Sequence, residues 1–520
     1  MALAWLTILW TIFIISPPVE IVARLLIDWR TKRLKPPIGI IERFDSPNIV
    51  RVRLNSGATW TSNKVHVAAL SDGDQQYVIS LFSQIQCSQV LGTGICVGHA
   101  NDVPQLERGQ VSYAHSEEML TDFVKRLSGT KDTQLIGYTV EGSIISTVTF
   151  EATTSDPLGT SHVVFLRIDG KNIYYQILDA KTTKETFDNN PRGKQIVTAA
   201  QLGCYDPIDG FKKYDWVPEM NTPVFSAKDQ HFIEPNPTER QFIVDHISST
   251  NIGVLVNVDE LLECHTAIFG ATGTGKTELA LHIVREAVRR NVKVLCVDVT
   301  GQYRVLLRKS GPIVWRAKED GGVKNDLLLS PADQSALLNF LNGNDDQLAI
   351  LELGMNITEK KANIECIAPY LHAIACWAQS KDKPHQKLLI VLEEAHALVP
   401  ESRGSINPIS QIALQGRKYG LGFMIVSQRT ALVSKSLLYQ CNTFFTHSLI
   451  DQTALTFLQS VYGDQHTRSL PNLRRFEFLA FGHAIRTERP VIIKRPFIQD
   501  KKQESENLIP FYEGAPSIDA

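Results

Sequence analysis

Gly270, Ala271, Thr272, Gly273, Thr274, Gly275, Lys276 and Thr277 follow one another without a break and satisfy the pattern G-x-x-x-x-G-K-[ST]. No other feature constrains the chain so tightly, because a loop of this kind needs a strand before it and a helix after it. Three glycines let the backbone curl until successive N–H groups point inward, where they can cradle the α- and β-phosphates of a nucleoside triphosphate. Lys276 then reaches the β- and γ-phosphates, and the Thr277 hydroxyl is placed to ligate Mg²⁺. The flanks suit that use. Thr266 to Phe269 reads as an apolar strand, and beyond the loop Leu279, Ile283 and Ala287 fall beside Ala280, Val284 and Val288 on one helical stripe. The phosphates would sit at the positive N-terminus of that helix. ATP and Mg²⁺ are the cofactors this reading implies.

A second apolar strand, Leu388 to Leu392, runs straight into Glu393, Glu394, Ala395 and His396. In phosphate-loop enzymes an acid at the end of such a strand holds the metal's water shell, and a neighbouring glutamate polarises the attacking water. Glu393 is accordingly read as the magnesium-shell residue and Glu394 as the general base, with Glu standing where Asp is commoner. A sheet delivers both to the same edge as Gly270 to Thr277.

The chain has 520 residues, too many for one compact core, and a guide of roughly 100–200 residues per domain suggests two to four. Charged residues make up 21% and the net charge is −2, which excludes a broadly basic or disordered polypeptide but permits a local basic lining. The eight cysteines are scattered without a C-x-x-C pair, as expected of reduced thiols in the cytoplasm. Residues 1–35 form an apolar extension. Its run from Met1 to Val19 is uncharged but broken by Pro17 and Pro18, and it reads as a contact within an oligomer or with a partner rather than a membrane span. Residues 36–228 are β-rich, with a helical insertion from Ser116 to Leu127; residues 229–250 read as a linker, 251–498 as the ATPase domain and 499–520 as a polar tail. Within 251–498, apolar strands at Val292 to Val299, Leu348 to Leu353, Leu388 to Leu392 and Phe423 to Ser427 alternate with helical stretches, Glu359 to Ser380 the longest. That alternation predicts an α/β fold with a parallel sheet covered on both faces.

His265 to Thr277, Asp298 to Tyr303, Leu392 to His396, Gly416 to Gly420, Ser427 to Arg429 and Gln440 to Thr443 occur in the order seen in HerA ATPases of the HerA/FtsK superfamily, which this chain resembles over roughly residues 251 to 496. The resemblance implies a RecA-like P-loop core preceded by a HerA-type barrel domain. It implies a homohexameric ring that drives double-stranded DNA through its channel, with ATP held between neighbouring subunits. It also implies a partner, since no nuclease constellation is visible: a separate nuclease, as in DNA-end processing, or an NAD-degrading effector, as in anti-phage defence. Carried over residue by residue, Gln428 would sense the γ-phosphate, and Arg417 or Lys418 would act across the subunit interface as an arginine finger. Asp298 suits either the ordering of the magnesium site or the capping of a turn. Gly301-Gln302-Tyr303 departs from the family's Gly-Glu-Tyr. His265 and His396 read as packed or hydrogen-bonded side chains, and the loop from Arg429 to Lys435 as one that faces a pore. Two further readings stay open: a ring whose nucleotide state mainly assembles an effector, and a membrane-anchored conjugation or secretion ATPase.

Overall fold

The computed structural model describes residues 36–495, apart from segments 184–193, 318–328, 354–359, 381–386 and 402–407 and several isolated positions, among them 47, 87, 101–102, 104, 115–116, 132 and 155. The apolar extension and the tail lie outside the described residues. Among the described residues no helix is long and apolar enough to cross a membrane.

The β-rich half is not one barrel but two. Six strands between Gly39 and Tyr113 close into an antiparallel barrel, so that no edge is left open. Its core centres on Trp60, whose indole N–H donates to Thr93 O at 2.9 Å. The ring lies flat across Gly92, where an added Cβ would come within 2.5 Å of it, so only glycine permits the approach. His66 stacks on the other side, centroids 4.3 Å apart. The helix that follows, Glu117–Ser128, buries Phe123 and Val124. A second antiparallel sheet comes next, in which Lys171–Thr183 pairs with both Val163–Ile168 and Lys194–Asp206 and so closes the sheet upon itself. Within it, Thr147–Ala152 starts straight after a tight turn bridged between Ile144 and Thr147. Alternating apolar residues mark strands but do not record which strands pair.

The remaining eleven strands form one mixed sheet, where sequence predicted a parallel one. His265–Phe269 lies between Cys441–His447 and Leu421–Ser427, and the parallel set continues through Leu388–Leu392, Lys293–Asp298, Leu348–Leu353 and Ile313–Ala317. Beyond Cys441–His447 the sheet turns antiparallel through Glu477–Gly482, Val491–Lys494, Gln241–Ile247 and Gly253–Asn257. Gln241–Ile247 falls inside the expected linker 229–250, so the polar, proline-bearing composition there marks only the approach to this sheet. Five of the parallel strands, from His265–Phe269 and Leu421–Ser427 to Leu348–Leu353, are buried along their whole length, as sequence anticipates for a sheet covered on both faces, while the edge strand Ile313–Ala317 is only half-buried.

One buried side chain helps to fasten the second β unit to this sheet. Gln176 is buried; its amide donates to Ile492 O at 2.8 Å, and its carbonyl accepts from Ile492 N at 2.7 Å. Val491–Lys494 thus has a backbone partner outside its own ladder.

Candidate active site

At the C-terminal edge of the parallel strands the chain leaves Phe269, curls through residues 270–275 and enters the helix Lys276–Arg289. Gly270, Gly273 and Gly275 have φ of 153°, 76° and 114°, a region that favours glycine. At Gly275 a Cβ would also stand 2.8 Å from the Phe476 ring. The loop is held from two sides: Ala271 N donates to Ser448 O at 3.0 Å, and Phe476 N donates to Thr274 O at 3.0 Å. Thr274 Oγ1 donates to Ala271 O, and the Lys276 ammonium folds back to the same carbonyl at 2.8 Å. Burial lowers the Lys276 pKa, with the charges of Glu394 and Glu393 opposing.

Glu393 and Glu394 emerge from Leu388–Leu392 at this edge, and their charges register on Lys276. Glu393 is buried, and burial pushes its carboxyl up to about 7. Against that, the Tyr303 hydroxyl donates to Glu393 Oε2 at 2.6 Å, which favours the ionised form. Tyr303 is fully buried and is itself set by Asp298. The Asp298 carboxylate accepts from the backbone N–H groups of Thr300, Gly301 and Tyr303 and from the Thr300 hydroxyl. Of the two uses sequence allowed, Asp298 is therefore a turn former whose turn carries Tyr303 to Glu393. Glu394 has the left-handed backbone φ 49°, ψ 48°, a strain of about 1–3 kcal/mol for a residue with a Cβ. Its Oε2 lies 3.2 Å from His396 Nδ1, off the direction of a hydrogen bond.

Gln428 follows Leu421–Ser427 and reaches the phosphate loop directly: its Oε1 accepts from Thr272 Oγ1 at 2.6 Å. Arg417 and Lys418 are not brought in. Both are exposed in a 3-10 turn that precedes Leu421–Ser427, whereas Gln428 follows it. Seven strand residues at roughly 3.3 Å each separate them, on the order of 20 Å. His265 is packed and hydrogen-bonded, with Nε2 2.8 Å from Ala413 O and Nδ1 accepting from Phe423 N. Among the described residues no group of three metal-ligating side chains preassembles a cation site.

Sequence did not single out three neighbours. Glu352, at the end of Leu348–Leu353, is buried and paired with Arg304 at 3.0 Å and Arg316 at 3.4 Å. His447 lies against the loop: an added Cβ on Gly275 would be 3.4 Å from its Cε1. Its Nδ1 faces Glu477 O at 3.1 Å and so carries the proton, and burial holds its pKa down at about 3. Phe476 is the third. A lone histidine or phenylalanine has no spacing that would mark it.

The sequence profile described as Helicase HerA, central domain, matches residues 243–401. Over this central segment the chain is similar to the HerA family. The HerA-type segment holds the phosphate loop, Tyr303, Glu393 and Glu394, while Arg417 and Gln428 lie beyond it. Among curated proteins, the DNA double-strand break repair helicase HerA of Pyrococcus furiosus is 27% identical over 152 residues, 27% of this chain and 28% of that protein. A probable helicase of Methanocaldococcus jannaschii is 30% identical over 112 residues, 21% of each chain. The match thus spans less than a third of these relatives' own length. Among solved structures, the genome packaging NTPase B204 of Sulfolobus turreted icosahedral virus 2 superposes with a TM-score of 0.33 at 12% identity, covering 45% of this chain and 99% of that one.

Proposed function

We propose that this protein is an ATP-driven motor with a RecA-like core that moves double-stranded DNA through a homohexameric ring, working with a separate nuclease or other effector subunit. The observation that carries the ATPase reading is convergence. Residues 270–277, Glu393, Glu394 and Gln428 are far apart in sequence and meet at one sheet edge, with Thr272 Oγ1 already on Gln428. Gly273 fits a phosphate cradle, because an added Cβ there would face open space rather than protein. The donor set also fits Mg²⁺, a hard cation that takes oxygen ligands: Thr277 Oγ1 and the Glu393 carboxylate would hold it or its waters. Bound there, the ion would neutralise charge on the β- and γ-phosphates.

The chain's own residues supply the rest. Lys276 leaves Ala271 O to meet the phosphates, Gln428 reads the γ-phosphate, and Glu394 orients and deprotonates the attacking water. Arg417 sits on the order of 20 Å from its own phosphate loop. It could therefore complete a site only on a neighbouring subunit, which favours a ring over a working monomer. The names of the HerA relatives support DNA as the substrate. The exposed Arg429 and Lys435 would contact phosphates irrespective of sequence.

The test is the ATPase rate of the full-length protein with and without linear double-stranded DNA, beside Lys276→Ala and a native mass measurement. A hexamer whose Lys276-dependent turnover rises with DNA supports the motor. Turnover indifferent to DNA would shift the reading to a nucleotide-dependent scaffold that assembles an effector.

A further inference from the structure

We propose that Glu352 is a positioning residue of the ATPase site: through Arg304 it holds the short helix that presents the Tyr303 hydroxyl to Glu393. This rests on the reading of Glu393 as the acid that holds the magnesium shell. The strand Leu348–Leu353 is buried along its whole length, and Glu352 is its one charged residue. A buried carboxylate is costly unless cations or hydrogen bonds offset it, so its presence there calls for a reason beyond packing. Register supplies one. Asp298 pairs with Glu352, and Val297, one residue earlier, pairs with Leu392. Glu393, Asp298 and Glu352 therefore lie side by side at the ends of three adjacent parallel strands, with Asp298 in the middle.

The segment that leaves Asp298 runs into the helix Tyr303–Leu306, which has only four residues. A helix that short has little stability of its own and takes its position from what grips it. Two successive residues reach to opposite sides of the Asp298 strand. The Tyr303 hydroxyl donates to Glu393 on one flanking strand, and Arg304 Nε stands 3.0 Å from Glu352 Oε1 on the other. Arg316, the register partner of Glu352 on the edge strand, approaches Oε2 at 3.4 Å. Asp298 pins only the start of the segment, through the N–H groups of Thr300, Gly301 and Tyr303. At the far end Arg285, on the phosphate-loop helix, donates to Leu306 O at 3.0 Å. Glu352 is the sheet's own grip between these two points, and it keeps the helix from swinging about the Asp298 turn. The phenol oxygen sits at the tip of its side chain, where a small swing is amplified. A displacement of about 1 Å would take its 2.6 Å contact with Glu393 beyond hydrogen-bonding range.

The experiment is the Mg²⁺ concentration for half-maximal ATP hydrolysis by the full-length protein at neutral pH, read beside the melting temperature. It is measured for Glu352→Gln, Arg304→Gln and Tyr303→Phe, and for each of the first two combined with the third. Positioning predicts that Glu352→Gln and Arg304→Gln each raise the Mg²⁺ requirement about threefold and add nothing once Tyr303 is Phe, because residues acting as one unit are not additive. A rise that persists in the Tyr303→Phe background would mean a different route and would overturn the proposal. So would a lower melting temperature with an unchanged Mg²⁺ requirement, the mark of a purely structural pair, or a requirement that Tyr303→Phe itself leaves unmoved. Arg304 is half-exposed, so Arg304→Gln carries the same test should Glu352→Gln unfold. Glu393→Gln separates this from failure of the underlying reading: should it need no more Mg²⁺ than the parent protein, Glu393 itself has been misread.

Discussion

Replacing Tyr303 by Phe deletes one oxygen from a fully buried ring and leaves the packing in place. That oxygen donates to Glu393 Oε2 at 2.6 Å. A hydrogen bond to a charged group contributes about 1.5–3 kcal/mol, and about 1.4 kcal/mol corresponds to one unit of pKa. Burial has already pushed Glu393 up to about 7, and the phenol is the largest influence opposing it. The sign follows directly. The phenol favours the carboxylate over the carboxylic acid, so losing it moves the titration of Glu393 upward, by roughly one to two units. If the ionised form is the one that holds the magnesium shell, the acid limb of the rate profile moves the same distance to higher pH. The assay is steady-state ATP hydrolysis by the full-length protein across pH, with Mg²⁺ varied at each point. Near pH 7 the variant should need about tenfold more Mg²⁺, and the difference should close in alkaline buffer, where both proteins are ionised. A merely structural role would lower the rate equally at every pH. An acid limb that coincides with that of the parent protein, whatever the absolute rate, would refute the link from Tyr303 to Glu393.

Arg417→Ala should bind ATP normally yet hydrolyse it about a thousandfold more slowly, the low end of what arginine fingers contribute. Mixing it with Lys276→Ala chains should restore partial turnover, and no recovery in mixed assemblies would count against action in trans. His66 is fully buried, has no partner for either ring nitrogen among the described residues, and is held at about 4 by burial. Its unfolded value is 6.5, so as pH falls from 6.5 to 4 the unfolded chain takes a proton that the folded chain refuses, at a cost of up to about 3 kcal/mol. His66→Phe keeps the ring beside Trp60 and should flatten the fall in melting temperature over that range; identical acid slopes would show that His66 is not responsible. Gln176→Ala strands the N–H and C=O of Ile492 and should cost about 2–4 kcal/mol, read as a lower denaturation midpoint. A change below 0.5 kcal/mol would mean that the clasp contributes nothing net.

Five of the parallel strands were legible because each carries an apolar run, the pattern of a strand buried on both faces, whereas Ile313–Ala317 and Cys441–His447, interrupted by polar residues, were not. Both acidic and glycine-rich parts of the candidate site were legible for the same reason: they hang on the ends of those strands. The antiparallel margin was not. Gln241–Ile247 and Val491–Lys494 pair across some 250 residues, and nothing local in either marks the other as its partner. Tyr303 stood inside the Asp298 to Tyr303 motif, but its use depends on Glu393, ninety residues away. Phe476 carries no pattern at all. Its place beside Gly275 comes from a turn that only the assembled mixed sheet dictates.

Val491–Lys494 joins two parts of the molecule. At Ile492 it is grasped by Gln176 of the second β unit. Three residues later Arg495 grips the phosphate-loop helix through Glu278 O and the loop's flank through Phe476 O. Three strand residues span about 10 Å. Over that distance a ladder partner lies on each side of the strand, with no loop between the two grips to absorb a displacement. A shift at the phosphate loop would therefore reach the second β unit as the movement of a stiff rod, as a handle follows its blade.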